Sequence, residues 1–188
     1  MLNKLLPSSL KNHIKRILEN RSLWVSQAGQ DFWVYGECFN KKKGGFFIDI
    51  GAHDGRYISN TLVLEGRYNW DGICIEANPN TFEKLRRTRK CRTINVALAS
   101  TEGKAVFKLD GVMGGFVGEQ FDNQVSDKTN CIEVPTIPLS ILLEKEHITS
   151  PIDYISVDVE GAEDAVFSGL DLSKHRSNLL TLNDRLLP

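Results

Sequence analysis

The sequence lacks any apolar run that approaches the about 20 residues needed to cross a bilayer. Its N-terminus also lacks the uninterrupted apolar stretch that is typical of a secretory signal peptide. These two absences argue against a membrane-spanning or secreted protein and predict a cytoplasmic one. Residues 1–25 instead have the spacing of an amphipathic helical segment, which would pack on its own domain or touch a membrane surface.

A surplus of one sign of charge is also missing from the chain. The 188 residues include 23 Lys and Arg and 24 Asp and Glu, which gives a net charge of −1. Dedicated nucleic-acid-binding domains usually carry a net basic surface, so we expect no specific nucleic-acid partner. The most basic stretch, residues 84–92, is interpreted as the solvated face of a helix rather than as a nucleic-acid patch.

Cysteine is scarce and irregularly spaced. The four cysteines lack a CxxC pair and a histidine at metal-ligand spacing. We therefore expect free thiols, no metal site and no disulfide framework. The four are Cys38, Cys74, Cys91 and Cys131.

The sequence does contain short apolar runs that alternate with helical segments. Strands are predicted at residues 46–50, 71–76, 93–100, 104–109, 131–137, 152–160 and 179–184. Alternation of this kind is typical of an α/β domain with a mostly parallel sheet and helices on both faces. We find no linker or repeat, so residues 26–188 are predicted to form a single domain. The helix after the second strand is predicted to be capped by Asn80, with Glu83 three residues on.

The first predicted strand leads into a loop with regularly spaced glycines. Asp49 lies at the end of the strand, and Gly51 and Gly55 lie in the turn that follows. Such a loop brings backbone N–H groups close to a bound ligand, and glycine permits the positive φ that close approach requires. The glycines are four residues apart with His53 between them, which disfavours a nicotinamide-dependent oxidoreductase. The spacing is that of an S-adenosylmethionine loop with its central glycine replaced.

Two further acidic positions lie at predicted strand ends. Glu76 ends the second strand, where a carboxylate accepts hydrogen bonds from the ribose hydroxyls of an adenosine; a plain surface carboxylate is the alternative. Asp158 and Glu160 are two apart on a later strand and therefore point to the same side. They would accept a substrate proton, bind the ammonium of a cofactor, hold a metal or cap the next helix.

Four motifs in order identify a resemblance to a known family. FFIDIGAHDG, CIEANP, VPTIPLSILL and IDYISVDVEGAE together resemble the FkbM-type methyltransferases. The resemblance implies a class I, Rossmann-like fold that binds S-adenosyl-L-methionine and methylates a hydroxyl of a sugar, lipid or natural product. It also implies the cofactor-binding residues Asp49, Gly51, Ala52, His53, Gly55, Glu76, Ala77, Asn78, Val96 and Ala97. Asp158 and Glu160 would face the methyl group and the acceptor and act in catalysis.

The main sheet of such a fold has seven strands, and only five of the predicted strands correspond to it, at residues 46–50, 71–76, 93–100, 152–160 and 179–184. The chain is therefore expected to be shortened at its C-terminus relative to that fold. A short active enzyme, a truncated one and a non-catalytic binding or interaction module all stay open. An open sheet edge would also favour a homo-oligomer.

The segment before the first strand, SQAGQDFWV, resembles one found in some members of the same family. The aromatic residues in and beside it would form either a lid over the cofactor or ordinary core packing; they are Trp24, Phe32, Trp33 and Tyr35. Its polar residues Gln27, Gln30 and Asp31 hint at a contact with the site.

Overall fold

The structure is a computed structural model that describes residues 23–118, 121, 123, 129–149, 151–159 and 161–182. The predicted N-terminal helix falls mostly on residues 1–22 and lies outside the described residues. Glu160 and the last two residues of the final predicted strand, Asn183 and Asp184, also lie outside them.

Within the described residues, nine strands form two sheets. They are β1 (Phe46–Ile50), β2 (Asp71–Ile75), β3 (Arg92–Ile94), β4 (Ala97–Leu98), β5 (Gly103–Lys108), β6 (Gly115–Phe116), β7 (Cys131–Ile137), β8 (Ile152–Val157) and β9 (Ser177–Leu182). The main sheet has the order β3-β2-β1-β8-β9, and all of its neighbours are parallel. Its inner strands β2, β1 and β8 are mostly apolar and buried, as expected for a parallel sheet covered on both faces, whereas the edge strands β3 and β9 are partly exposed. The predicted α/β fold class is confirmed.

The second sheet has the order β4-β7-β5-β6. β4 is parallel to β7, and the other two pairings are antiparallel. The prediction of one strand over residues 93–100 is wrong, because that segment is divided between the two sheets. The division occurs at Asn95, whose side-chain Nδ2 donates to the carbonyls of Glu76 (2.7 Å) and Ala77 (3.1 Å) and ties this point of the chain to the end of β2.

Helices cover both faces of the main sheet. They are α1 (Gln30–Trp33), which continues into a π-helical turn (Val34–Cys38), α2 (Leu62–Tyr68), α3 (Pro79–Thr88), α4 (Leu139–Lys145) and α5 (Glu163–Ser168). Phe47 of β1 packs with residues of α2 and α3, whereas its neighbour Ile48 packs with residues of α4 and α5. Alternate residues of one buried strand thus enter two separate cores. No helix among the described residues is long and apolar enough to cross a membrane.

The start of α3 differs from its predicted position. Pro79 occupies the first helical turn, and Asn78 is the N-cap, with its Oδ1 accepting the Asn80 N–H at 2.9 Å. Proline suits this position because it lacks the N–H that the first turn leaves unpaired. The predicted capping pair of Asn80 and Glu83 is therefore wrong, and Glu83 instead binds Arg86 at 2.9 Å.

The order of the strands creates a crevice. From β1 the chain moves outward through β2 to β3, and it later returns to the opposite side of β1 with β8. Loops at the carboxyl ends of β1 and β8 therefore diverge to opposite sides, and open α/β sheets bind their ligands at such a point.

Candidate active site

A cavity of about 300 Å³ lies at the carboxyl ends of β1, β2 and β8. This volume is at the lower end of the range of small-molecule sites. The predicted site residues that line it are Asp49, Gly51, Ala52, His53, Glu76, Ala77, Asn78, Val96, Ala97 and Asp158. Gly55 is not among the lining residues, and Glu160 lies outside the described residues.

Gly51 sits where the backbones of β1 and β8 leave the sheet. It has a φ of 79°, and a Cβ added to it would lie 1.8 Å from the carbonyl oxygen of Asp158. Its N–H and that of Ala52 both donate to the carbonyl of Ile75 at 3.0 Å. The turn is thereby fixed to β2 and fitted against β8, and only glycine meets both requirements.

We expect Gly51→Ala to lower the free energy of unfolding by at least about 2 kcal/mol, because a methyl group at this position overlaps the backbone of β8. Urea denaturation measures the change. The matched control is Gly66→Ala within α2, where no atom lies within 4 Å of the added Cβ. That variant is expected to be stabilised by about 0.5–1 kcal/mol, since alanine favours helix over glycine. Equal stabilities of the two variants would contradict the close fit at Gly51.

Gly55 lies in the same loop, on the side that faces the helices. It has a φ of 74°, and an added Cβ would lie 2.6 Å from Leu85 and 2.7 Å from Arg89, both near the end of α3 or just beyond it. The structure thus places Gly55 against the helix layer and not at the cavity wall, which differs from its predicted place beside the cofactor.

Glu76 joins the loop to the start of α3. Its Oε2 accepts the N–H of His53 at 2.8 Å, and its Oε1 accepts the N–H of Asn78 at 2.7 Å. The carboxyl is buried, and this burial raises its pKa against the opposing effect of the two N–H groups. A carboxylate oxygen accepts more than one hydrogen bond, so each oxygen has capacity for a further donor from a ligand.

Asp49 lies beneath the cavity in a buried polar network. Its Oδ2 accepts a hydrogen bond from Thr61 Oγ1 at 2.5 Å and lies 3.8 Å from Nη1 of Arg89. Burial raises the pKa of the Asp49 carboxyl, whereas Arg89 and the hydrogen bond from Thr61 oppose the rise. Arg89 also pairs with Glu65 of α2, so the network connects the end of β1 to two helices.

The family model described as the methyltransferase FkbM domain matches residues 49–185, well over half of the chain. The protein belongs to the FkbM methyltransferase family. The resemblance found in the sequence is thereby confirmed. No curated protein and no solved structure gave a match.

In this FkbM methyltransferase domain, one wall of the cavity comes from the second sheet. Phe107 and Phe116 face each other across β5 and β6 with ring centroids 6.2 Å apart, and Met113 lies in the connection between the two strands. All three line the cavity. The sequence predicted a strand at residues 104–109, where β5 lies, but no signal connected that segment to a site at the ends of other strands.

The loop between Gly55 and α2 supplies a second group of unpredicted lining residues, Tyr57, Ile58, Ser59 and Asn60. Ile58 has a φ of 45° and His53 a φ of 49°, a conformation that is rare for a β-branched residue such as Ile58. Strained backbone of this kind concentrates at functional sites. The two positive φ values therefore mark this loop as part of the site, and they could not be read from the sequence.

The aromatic residues before β1 form packing and not a lid among the described residues. The rings of Tyr35 and Tyr68 stack with centroids 3.5 Å apart, and Trp24 packs beside both. Asp31 is buried and accepts the N–H of Val25 at 2.8 Å, which organises the turn rather than the site. From this segment the cavity lining includes Gln27.

Proposed function

We propose that this FkbM-family methyltransferase uses S-adenosyl-L-methionine to methylate a hydroxyl oxygen of a sugar, lipid or natural product. The observation that carries the proposal is the buried carboxylate of Glu76, which faces the Gly51–His53 turn at the crevice of a parallel sheet. An acidic residue at the tip of the strand next to a glycine loop is the arrangement that binds the ribose of an adenosine cofactor. A cytoplasmic location stays part of the proposal.

The cavity residues fit the parts of this cofactor. Glu76 would hold the ribose hydroxyls, and Ala77, Val96 and Ala97 offer small apolar surfaces for the adenine. The turn at Gly51 lets the backbone approach the methionine end closely, since no side chain intervenes there. When bound, the cofactor supplies an activated methyl group, which is transferred to the acceptor oxygen as that oxygen displaces the sulfur.

The residues of this chain would position the acceptor and remove its proton. A hydroxyl is a weak nucleophile while protonated, so a nearby base accelerates the displacement. Asp158 lines the cavity directly after β8, and Glu160 follows two residues later in the sequence. We propose one of these two carboxylates as the base, with His53 of the facing loop as the alternative. That carboxylate would take the proton of the acceptor hydroxyl, while the bound cofactor would supply the methyl group and leave as its thioether.

We expect Asp158→Asn or Glu160→Gln, whichever removes the base, to lower kcat by about 10²–10⁴-fold. The matched variants distinguish the two positions because each keeps the size and removes the charge. Calorimetry on the same proteins should show that both variants still bind S-adenosylhomocysteine. Full turnover by both variants would overturn the assignment of the base to either carboxylate.

The function itself is tested in two stages. Calorimetry with S-adenosylmethionine, S-adenosylhomocysteine and NAD should show binding of the two sulfur compounds only. Methyl transfer is then measured on a panel of hydroxylated sugars, lipids and natural products. Failure to bind either sulfur compound would overturn the proposal. Binding without turnover on any acceptor would instead favour a binding or interaction module.

A further inference from the structure

One buried amide in the cavity, that of Asn60, has an unused hydrogen-bonding atom. Asn60 precedes α2 by two positions, is 7% exposed and lines the cavity. Its Oδ1 is buried and has no hydrogen-bond partner among the described residues. A buried acceptor without a donor costs free energy, so an atom of this kind in a cavity wall marks a contact that a ligand completes.

The other half of the same amide fixes its orientation. Nδ2 of Asn60 donates to Oγ of Ser156 at 2.9 Å. Ser156 is the register partner of Asp49 on the neighbouring strand, and its side chain opposes the rise in the pKa of the Asp49 carboxyl. A hydroxyl has one proton to donate, and an ionised carboxylate only accepts. With Ser156 Oγ accepting from Asn60 Nδ2, the hydroxyl keeps its own proton for the Asp49 side, and the amide oxygen of Asn60 is left for a ligand.

The position of Asn60 in the sheet identifies which donor it meets. Asp49 of β1 is in register with Ser156 of β8 on one side and with Cys74 of β2 on the other. Two strand spacings of about 4.8 Å therefore separate the Ser156 anchor from the strand that carries Glu76. A ligand held by Glu76 at its ribose would therefore have to extend across β1, over roughly two strand spacings, to reach Asn60.

S-adenosylmethionine carries hydrogen-bond donors at three places: the adenine amine, the ribose hydroxyls and the α-ammonium. With the ribose at Glu76 and the adenine at Val96 and Ala97, the ammonium is the donor left for the opposite side of β1. We infer that Asn60 Oδ1 binds the α-ammonium of the cofactor. The inference rests on the proposed function and assigns to the cofactor a residue outside the glycine loop.

Asp158 lines the same cavity and adds a carboxylate to the surroundings of the cation. The amide oxygen of Asn60 is an acceptor with a fixed direction, because the hydrogen bond from Nδ2 to Ser156 holds the amide in place. A hydrogen bond to a charged group is stronger than one between neutral groups, so the contact contributes measurably to affinity.

The test replaces Asn60 with leucine, which has a similar size and no acceptor. Calorimetry compares S-adenosylhomocysteine, which has the ammonium, with methylthioadenosine, which keeps the adenosine and the thioether but lacks the amino-acid end. We expect Asn60→Leu to weaken binding of S-adenosylhomocysteine by about 10- to 100-fold. Binding of methylthioadenosine should change by less than about twofold, since ribose and adenine contacts are kept.

Asn60→Asp provides the matched rescue, because it keeps an acceptor oxygen and removes the amide donor to Ser156. It should bind S-adenosylhomocysteine far more tightly than Asn60→Leu does. Thermal unfolding checks that each variant folds, and Asn60→Ala replaces the leucine variant if that one does not.

Three results would overturn the inference. Asn60→Leu could bind S-adenosylhomocysteine as tightly as the unchanged protein, or lose affinity equally for both ligands, which a purely structural role would produce. Equal losses in the leucine and aspartate variants would point to the same structural role. If the unchanged protein binds no sulfur compound, the proposed function fails together with the inference; in the other cases the inference fails alone.

Discussion

Replacing Glu76 with alanine is expected to weaken binding of S-adenosylmethionine by at least about a hundredfold. The variant loses the acceptor of two ribose hydroxyls and also frees the N–H groups of His53 and Asn78, which the carboxylate now holds at 2.8 and 2.7 Å. Calorimetry with S-adenosylhomocysteine measures the loss. The matched control is Glu83→Ala on the solvent side of α3, where the side chain is half exposed and faces Arg86. A hundredfold loss in the control, or none in Glu76→Ala, would contradict the ribose role.

The pH dependence offers a second measurement of the same role. Burial raises the pKa of Glu76, so the folded protein holds this proton more tightly than the unfolded chain does. The contribution of Glu76 to stability is therefore lost as pH rises through its folded-state pKa. Ribose hydroxyls favour the ionised carboxylate, so cofactor affinity should rise over the same interval. Opposite slopes of stability and affinity are expected for the unchanged protein, and both slopes should flatten in Glu76→Ala.

The largest loss of stability is expected from Arg89→Leu. The Arg89 side chain is 0% exposed, pairs with Glu65, and donates to Thr61 Oγ1 at 2.9 Å. Its removal leaves the carboxylates of Glu65 and Asp49 buried without their cation. Removing one partner of a buried ion pair typically costs about 3–5 kcal/mol, which is a large fraction of the stability of a domain. Urea denaturation measures this difference.

Arg87→Leu is the control for that variant. Its side chain is 75% exposed and lies 3.5 Å from Glu83, so the same substitution should change the free energy of unfolding by less than about 1 kcal/mol. The double variant Arg89→Leu with Glu65→Leu should recover part of the lost stability, because one of the uncompensated charges is then gone. No recovery would show that packing of the arginine stem, and not its charge, stabilises this region.

The inner strands of the main sheet could be predicted from sequence because each is a short, mostly apolar run between turn residues. β1 occupies the predicted residues Phe46–Ile50, and β7 in the second sheet occupies the predicted Cys131–Ile137. A buried strand shows this pattern in the sequence regardless of which strands pair with it. The glycine loop and Glu76 were recognisable for a related reason, since a strand end followed by glycine is a local signal.

Features that depend on distant contacts could not be predicted. The division between β3 and β4 depends on the amide of Asn95, and an asparagine has no fixed place in a strand pattern. The apolar wall at Phe107 and Phe116 is formed by a second sheet whose position over the crevice no local spacing encodes. The family resemblance implied that Gly55 binds the cofactor, whereas a Cβ added at Gly55 would meet Leu85 and Arg89.

The pairing of β1 with β8 also determines when the main sheet can be completed during synthesis on the ribosome. The N–H of Phe46 donates to the carboxylate of Asp153, 107 residues further along the chain. At a synthesis rate of about 5–20 residues per second, β1 waits roughly 5–20 seconds for this neighbour. During that interval one edge of an apolar strand is unpaired, and such edges are prone to aggregate. The nascent chain is thus expected to depend on chaperones until β8 has emerged.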